Sequence, residues 1–242
     1  MMNSNEANQI PIAPEHCVTG FGTTLIVAPH ADDESLGCGG IISLLRKYGQ
    51  QVFILLLSDG SLSHPNSKEY PAEKLMELRE QELLNAASIL GVDSKNIICC
   101  RYKDRSVPQK DGEEFESAVT NISKLINSIN PQSIFVPWRR DPHPDHRAAF
   151  QLISEANTRV AKIYEYPIWL QGLGEEADFP IQGEIIPFRL DITTVLKLKK
   201  KALSMHRSQY SDLITDDEHG FKLSPEMIAQ FSKSDELFYM SK

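Results

Sequence analysis

No apolar run in the 242 residues approaches the roughly 18 that a membrane-crossing helix needs, so no membrane partner is expected. The first twenty residues, Met1 to Gly20, hold neither a positively charged start nor the apolar stretch of an export leader, which predicts a soluble, unexported, cytoplasmic protein. Positive charge is also short: 25 Lys and Arg stand against 33 Asp and Glu, a formal net charge of −8. A field of that sign repels polyanions and argues against nucleic acid as a partner. The four cysteines, Cys17, Cys38, Cys99 and Cys100, form no C-x-x-C pair and read as small core thiols in a reducing compartment. There is no internal repeat and no low-complexity segment. The cluster Gly37-Cys38-Gly39-Gly40 fits neither G-x-G-x-x-G nor G-x-x-x-x-G-K-[ST], so it predicts close helix–sheet packing and not a phosphate loop.

What is present is enough chain to bury a core without disulfide or metal staples. Continuous apolar runs such as Val52 to Leu57, without alternation, read as strands covered on both faces. They alternate with helical periodicities over Leu36 to Tyr48, Ala72 to Leu90, Phe115 to Ile129, Pro144 to Thr158, Asp191 to Met205 and Ser224 to Phe231. Further strands are predicted at Thr23 to Ala28, Ile97 to Tyr102, Ile134 to Val136, Val160 to Trp169 and Glu184 to Leu190. The pattern is that of a single α/β domain, a Rossmann-like three-layer sandwich with a mostly parallel sheet. Residues 21–242 form this domain, and residues 1–20 read as an N-terminal arm, loose from Met1 to about Val18. In such sheets ligands collect at the carboxyl ends of strands, which brings His30, Asp59 and the loop Arg139 to His143 to one crevice.

Two stretches carry chemistry. His30-Ala31-Asp32-Asp33-Glu34 follows the first long strand, and His30 and Asp33, three apart, converge on a cation if the chain turns there. Read alone, those acids also suit the N-terminus of the following helix, with Glu34 in its first turn. His143-Pro144-Asp145-His146 supplies two imidazoles at a helix start. Two His and one Asp, with a position left for water, make a catalytic zinc site, and the same donors suit iron(II). Asp145 is placed to orient an imidazole or the base opposite it, or simply to complement a helix start. Neighbouring side chains in an extended loop point different ways, so Asp32 and Asp33 are free to take different tasks. Arg139, Arg140 and Arg147 surround the second block, a basic rim that would attract a phosphate or carboxylate of the substrate.

Pro29-His30-Ala31-Asp32-Asp33-Glu34 and His143-Pro144-Asp145-His146 resemble the two signature blocks of the LmbE-like (PIG-L) zinc-dependent N-deacetylases, which act mostly on N-acetylglucosamine-type substrates. Leu57-Ser58-Asp59-Gly60, Arg79-Glu80 with Ala86-Ala87 and Leu90-Gly91, and Lys200-Lys201-Ala202-Leu203 with His206-Arg207-Ser208-Gln209 follow in family order, so the resemblance spans about residues 23–210. Ala31 departs from the family, which usually has proline there. The resemblance implies zinc on His30, Asp33 and His146, Asp32 as general base and His143, as imidazolium, facing the oxyanion. It also places Arg79 and His206 at the substrate, and Arg139 belongs to the expected rim. The expected partner is a small amino-sugar substrate, and a homo-oligomer is left open. Two alternatives stand beside this reading: a zinc amidase of a larger amide or conjugate, and a non-catalytic sugar-binding module.

Overall fold

In the computed structural model, which describes residues 10–157 and 161–241, eight strands form one sheet in the order β1-β7-β8-β6-β5-β2-β3-β4. They are β1 Ile12–Ala13, β2 Thr24–Ala28, β3 Val52–Ser58, β4 Ile97–Tyr102, β5 Ser133–Pro137, β6 Lys162–Tyr166, β7 Ile185–Asp191 and β8 Asp235–Ser241. Strand β8 runs antiparallel to both β6 and β7, and every other pairing is parallel. The principal helices are α1 Asp33–Lys47, α2 Ala72–Ile89, α3 Phe115–Ile129, α4 Pro144–Ala156 and α5 Leu196–Leu203. Thr158 and Val160, ends of a predicted helix and strand, lie outside the described residues, as does the start of the predicted arm.

The central strands have both faces covered because their side chains alternate between two apolar cores. Ile26, Ile54, Leu56 and Phe135 belong to the core shared with α1, α2 and α5. Leu25, Val27, Leu55, Leu57, Ile134 and Val136 belong to the core beneath α3 and α4. This gives the three layers.

Three predicted elements change. From Ile12 onward the expected arm is part of the fold: β1 pairs with β7, and Val18, in the short helix Glu15–Gly20, is fully buried. The helix read over Asp191 to Met205 starts only at Leu196, since Asp191 still pairs with Asp235 and the backbone N–H of Ile192 donates to Ser234 O. Strand β8 has no counterpart in the sequence reading. It is held by pairing with two strands, and its Glu236 accepts from Lys199 Nζ at 2.7 Å and from the backbone N–H groups of Gly40 and Ile41 at 2.7 and 2.8 Å.

Close approach of neighbouring side chains explains the glycine cluster in α1. A Cβ on Gly40 would sit 2.5 Å from Ile192, one on Gly39 2.9 Å from Lys199, and one on Gly37 2.3 Å from the ring of Tyr166. The Tyr166 ring is fully buried and its hydroxyl donates to Val27 O at 2.6 Å, so it has nowhere to retreat. Alanine gains about 1 kcal/mol of helix propensity over glycine, and overpacking a core costs about 1–3 kcal/mol. Gly37→Ala is therefore expected to lower unfolding free energy by up to about 2 kcal/mol in denaturant titrations; a stabilised variant would refute the packing account.

Candidate active site

Strands β2 and β5 are sheet neighbours whose connections leave toward opposite edges, and the crevice between their carboxyl ends is where such sheets bind ligands. The loop after β2 supplies His30, Asp32 and Asp33. The loop after β5 supplies Asp141, His143 and, in the first turn of α4, Asp145 and His146. A cavity of about 330 Å³ is lined there by His30, Asp32, Asp33, Arg79 and His143.

The chain turns sharply at Asp32, which has φ 147° and ψ −27° and precedes the first residue of α1. A non-glycine residue in that region costs about 1–3 kcal/mol and persists only when its surroundings hold it. Here the backbone N–H of Asp32 donates to Glu34 Oε2 at 3.1 Å. Glu34 is itself fixed by His206 Nε2 at 2.9 Å and by the Ser35 hydroxyl. The two aspartates are thus separated by a strained turn into a helix and not by the alternation of an extended loop.

Asp33 Oδ2 lies 3.3 Å from His30 Nδ1 and 3.2 Å from His146 Nε2. Donors bound about 2.0–2.1 Å from one tetrahedral ion stand about 3.3–3.4 Å apart, so these spacings fit a shared cation. His146 is fully buried and neither ring nitrogen makes a well-aligned hydrogen bond; Nε2, which faces Asp33, is a group that a cation would satisfy. On the far side of each ring stands a carboxylate. His30 Nε2 is 3.1 Å from Asp145 Oδ2 and 3.4 Å from Asp104 Oδ1, while His146 Nδ1 is 3.2 Å from Asp141 Oδ1. Such partners fix the tautomer and leave the opposite nitrogen's lone pair for a metal. Among the described residues, the groups His30–His143–His146 and His30–Asp104–Asp145 each have donor atoms within 4.8 Å of one another. The second of these is the hydrogen-bonded back of the His30 ring.

The electrostatics of these carboxylates favour positive charge between them. Burial alone pushes the His146 imidazole down, yet Asp33 and Asp141 outweigh it and hold a proton there up to about 9. Asp33 is held well below the usual carboxylate range: burial raises it, but His146 and His30 prevail. A metal ion would replace that proton at lower cost to the ligand set.

Asp32 stands apart from these donors. Burial pushes its carboxyl up to about 7, opposed by the Arg79 guanidinium and reinforced by Asp33. Arg79 is buried and donates to Ala31 O at 3.0 Å and Gly60 O at 3.1 Å, with Nη2 3.4 Å from Asp32 Oδ2. The residue read as a substrate contact thus lines the cavity and also holds the Asp32 loop. His143 Nδ1 accepts the backbone N–H of Asp145 at 3.2 Å, so its proton sits on Nε2. Burial, followed by His30 and His146, pushes this imidazole down to about 4. These surroundings favour a neutral imidazole with an Nε2–H donor over the imidazolium expected from the resemblance.

Two expected substrate contacts are not brought to the cavity. His206 is fully buried and spends Nε2 on Glu34, behind the Asp32 turn. Arg139 donates to Glu165 through Nε at 2.9 Å and also through Nη2, and its guanidinium lies over Phe150, 4.9 Å from the ring centroid. Arg140 is paired with Glu184, and Arg147 donates to the carbonyls of Asp141 and Pro142. The basic rim therefore folds back onto the protein because acceptors distant in sequence, Glu165 and Glu184, claim it.

The sequence reading missed Asp104, Arg105 and Asp141. Asp104 and Arg105 follow β4, and the rule that ligands gather beyond strand ends pointed there too. Asp59, expected in the crevice, works from behind it: its Oδ1 accepts from Ser61 N and Asp104 N, both at 3.0 Å, and so joins the loops after β3 and β4. Asp141 accepts the backbone N–H groups of Ile168 and Trp169 at 3.1 and 3.0 Å, which draws the loop after β6 over the site.

Known proteins resemble this chain in sequence and in architecture. The probable N-acetyl-alpha-D-glucosaminyl L-malate deacetylase 2 of Bacillus subtilis is 26% identical over 210 residues, covering 85% of this chain and 91% of that protein. The diacetylchitobiose deacetylase of Thermococcus kodakarensis is 29% identical over 198 residues, covering 78% and 70%. The structure of N,N'-diacetylchitobiose deacetylase from Pyrococcus horikoshii superposes with a TM-score of 0.69 at 24% identity, covering 92% of this chain and 85% of that one. Residues 25–157, more than half of the chain and including both histidine blocks, match the family PIG-L, GlcNAc-PI de-N-acetylase, and the protein is a member of that family.

Proposed function

We propose that the protein hydrolyses the N-acetyl group of an N-acetylglucosamine-type amino sugar or its conjugate, releasing acetate and a free amine. The observation that carries this is a buried carboxylate, Asp32, which lines the same cavity as His30 and Asp33 and takes no part in the contacts of Asp33 Oδ2 with His30 and His146. His30, Asp33 and His146 would hold zinc, or iron(II), which the donor set also suits. A bound ion of this kind lowers the pKa of water and polarises the amide carbonyl.

The chain's own residues divide the remaining work. Asp32 takes the proton of the attacking water and returns it to the departing nitrogen as the C–N bond breaks. Arg79 keeps the carboxylate aimed and ionisable. The Nε2–H of His143 donates to the oxyanion developing on the amide carbonyl, a contact worth roughly 3 kcal/mol in the transition state. Asp145 and Asp104 hold the His30 ring, and Asp141 holds that of His146. Trp169 and Phe221, whose ring centroids are 5.5 Å apart, form an apolar wall suited to a sugar face.

The reading is tested with N-acetylated sugars, glycosides and nucleotide sugars, assayed for acetate and free amine before and after chelation. Acetate release that stops on chelation and returns with zinc or iron(II) is expected. Release of a larger acid would favour the amidase reading, and saturable sugar binding without turnover in metal-supplemented buffer would favour a binding module.

A further inference from the structure

The cavity has one guanidinium without a partner. Arg105, in the loop after β4, lines it and makes no side-chain hydrogen bond or ion pair among the described residues. The other arginines near the site are committed: Arg79 to the Asp32 loop, Arg139 to Glu165, Arg140 to Glu184 and Arg147 to backbone carbonyls. An acidic protein thus keeps a free, solvent-exposed cation on the wall of the cavity that Asp32 and Asp33 also line.

Arg105 is also fixed in place. Its φ is +62°, a left-handed conformation that is uncommon for a non-glycine residue. Its backbone N–H donates to Asp145 Oδ2 at 2.8 Å, and Val107 N donates to Asp145 Oδ1 at 3.2 Å. The same Asp145 Oδ2 is 3.1 Å from His30 Nε2. One carboxylate therefore ties the Cα of Arg105 to the ring of a metal-capable histidine, and only the guanidinium stays free to meet a ligand. In sheet order this loop lies at the β4 end of the cavity and the apolar wall bearing Trp169 at the β6 end, with the loops after β2 and β5 between them.

On the reading given above, the N-acetyl group occupies the middle of that span. We infer that Arg105 binds an anionic substituent, a carboxylate or phosphate, attached to the amino sugar, and that the protein acts on anionic conjugates in preference to neutral ones. A guanidinium offers a fork of N–H donors matched to two oxygens of such a group and has no acceptor of its own. The inference rests on the deacetylase reading and goes beyond it by stating the charge of the substrate.

The test compares three N-acetylglucosamine substrates with metal-loaded protein: a glycoside ending in a carboxylate, the same glycoside as its primary amide, and the sugar 1-phosphate. Wild type is expected to favour the carboxylate over the amide by about tenfold in kcat/KM, a modest factor because water reaches the arginine. Added salt is expected to shrink the preference. Arg105→Gln is expected to bring the ratio to about one and Arg105→Lys to an intermediate value. The ratio is internal to each protein, so a loss of folded fraction cancels. The 1-phosphate compared with the carboxylate shows which anion the site prefers. A wild-type ratio near one, or a ratio that survives Arg105→Gln, would overturn the inference and leave the deacetylase reading intact. No acetate from any of the three would overturn both.

Discussion

Asp32→Asn is expected to retain one bound metal ion and to lower kcat by about two to four orders of magnitude, the usual contribution of a positioned general base. Asparagine has nearly the same shape and tolerates the positive φ of this turn. It still meets Arg79, but it cannot take a proton. Because Asp32 is not among the donors that converge on Asp33 Oδ2, metal content by atomic emission should match wild type while the rate collapses. A metal-loaded variant of full activity would sink the assignment. The pH profile supplies an independent check. The base works ionised, so activity falls as pH drops through its folded pKa, which burial places near 7 and a bound cation would move lower. The acid limb should therefore lie at or below about 7 and be absent from the residual activity of Asp32→Asn. Stability has the opposite sense. A carboxyl raised on folding favours the folded state while protonated, a contribution full below the unfolded value of 3.8 and lost as pH rises through about 7. In metal-free protein, the difference in unfolding free energy between wild type and Asp32→Asn should change across that window and be flat outside it.

His146→Ala is expected to lose the metal and to lose stability together. Two of the three converging donors remain, His30 and Asp33, too few to hold the ion through dialysis. The variant also leaves the buried carboxylates of Asp33 and Asp141 without the imidazole between them. Removing one partner of a buried charged set costs about 3–5 kcal/mol. Wild type should lose thermal midpoint on chelation, because a ligand that binds only the folded state stabilises it. The midpoint of His146→Ala should start lower and ignore chelator. His146→Gln, which retains a polar group toward Asp141, separates the two losses: it should recover part of the stability and none of the metal. One equivalent of metal retained by either variant would remove His146 from the ligand set.

How much of this was legible in the sequence follows from the range of each interaction. The apolar run of β3 announced a doubly covered strand, and that of β5 a short strand, because each satisfies a local pattern. The periodicity of Phe115–Ile129 gave α3 to the residue. Strand β8 was invisible: its residues are ordinary for a strand, and what holds it is pairing with β6 and β7 and a Glu236 that reaches α1 and Lys199. The two histidine blocks were legible as chemistry only together: each alone also suits a helix start, but both follow strands of one sheet. The fate of the arginines was not. Arg139 and Arg140 looked free until Glu165 and Glu184, each more than twenty residues away, met them, whereas Arg105 drew no notice and holds the unpaired guanidinium.

The sequence by itself therefore determined the layered α/β architecture and the identity of the metal-capable residues, since both arise from local periodicity and from side-chain chemistry. Only the tertiary structure decided which nitrogen of His30 and of His146 faces Asp33, that His143 Nδ1 accepts a backbone N–H, that Asp32 sits in a strained turn against Arg79, and which arginine remains free. Those properties depend on burial and on partners brought together by the side-by-side pairing of strands β2 and β5, and neither is set until the chain is folded.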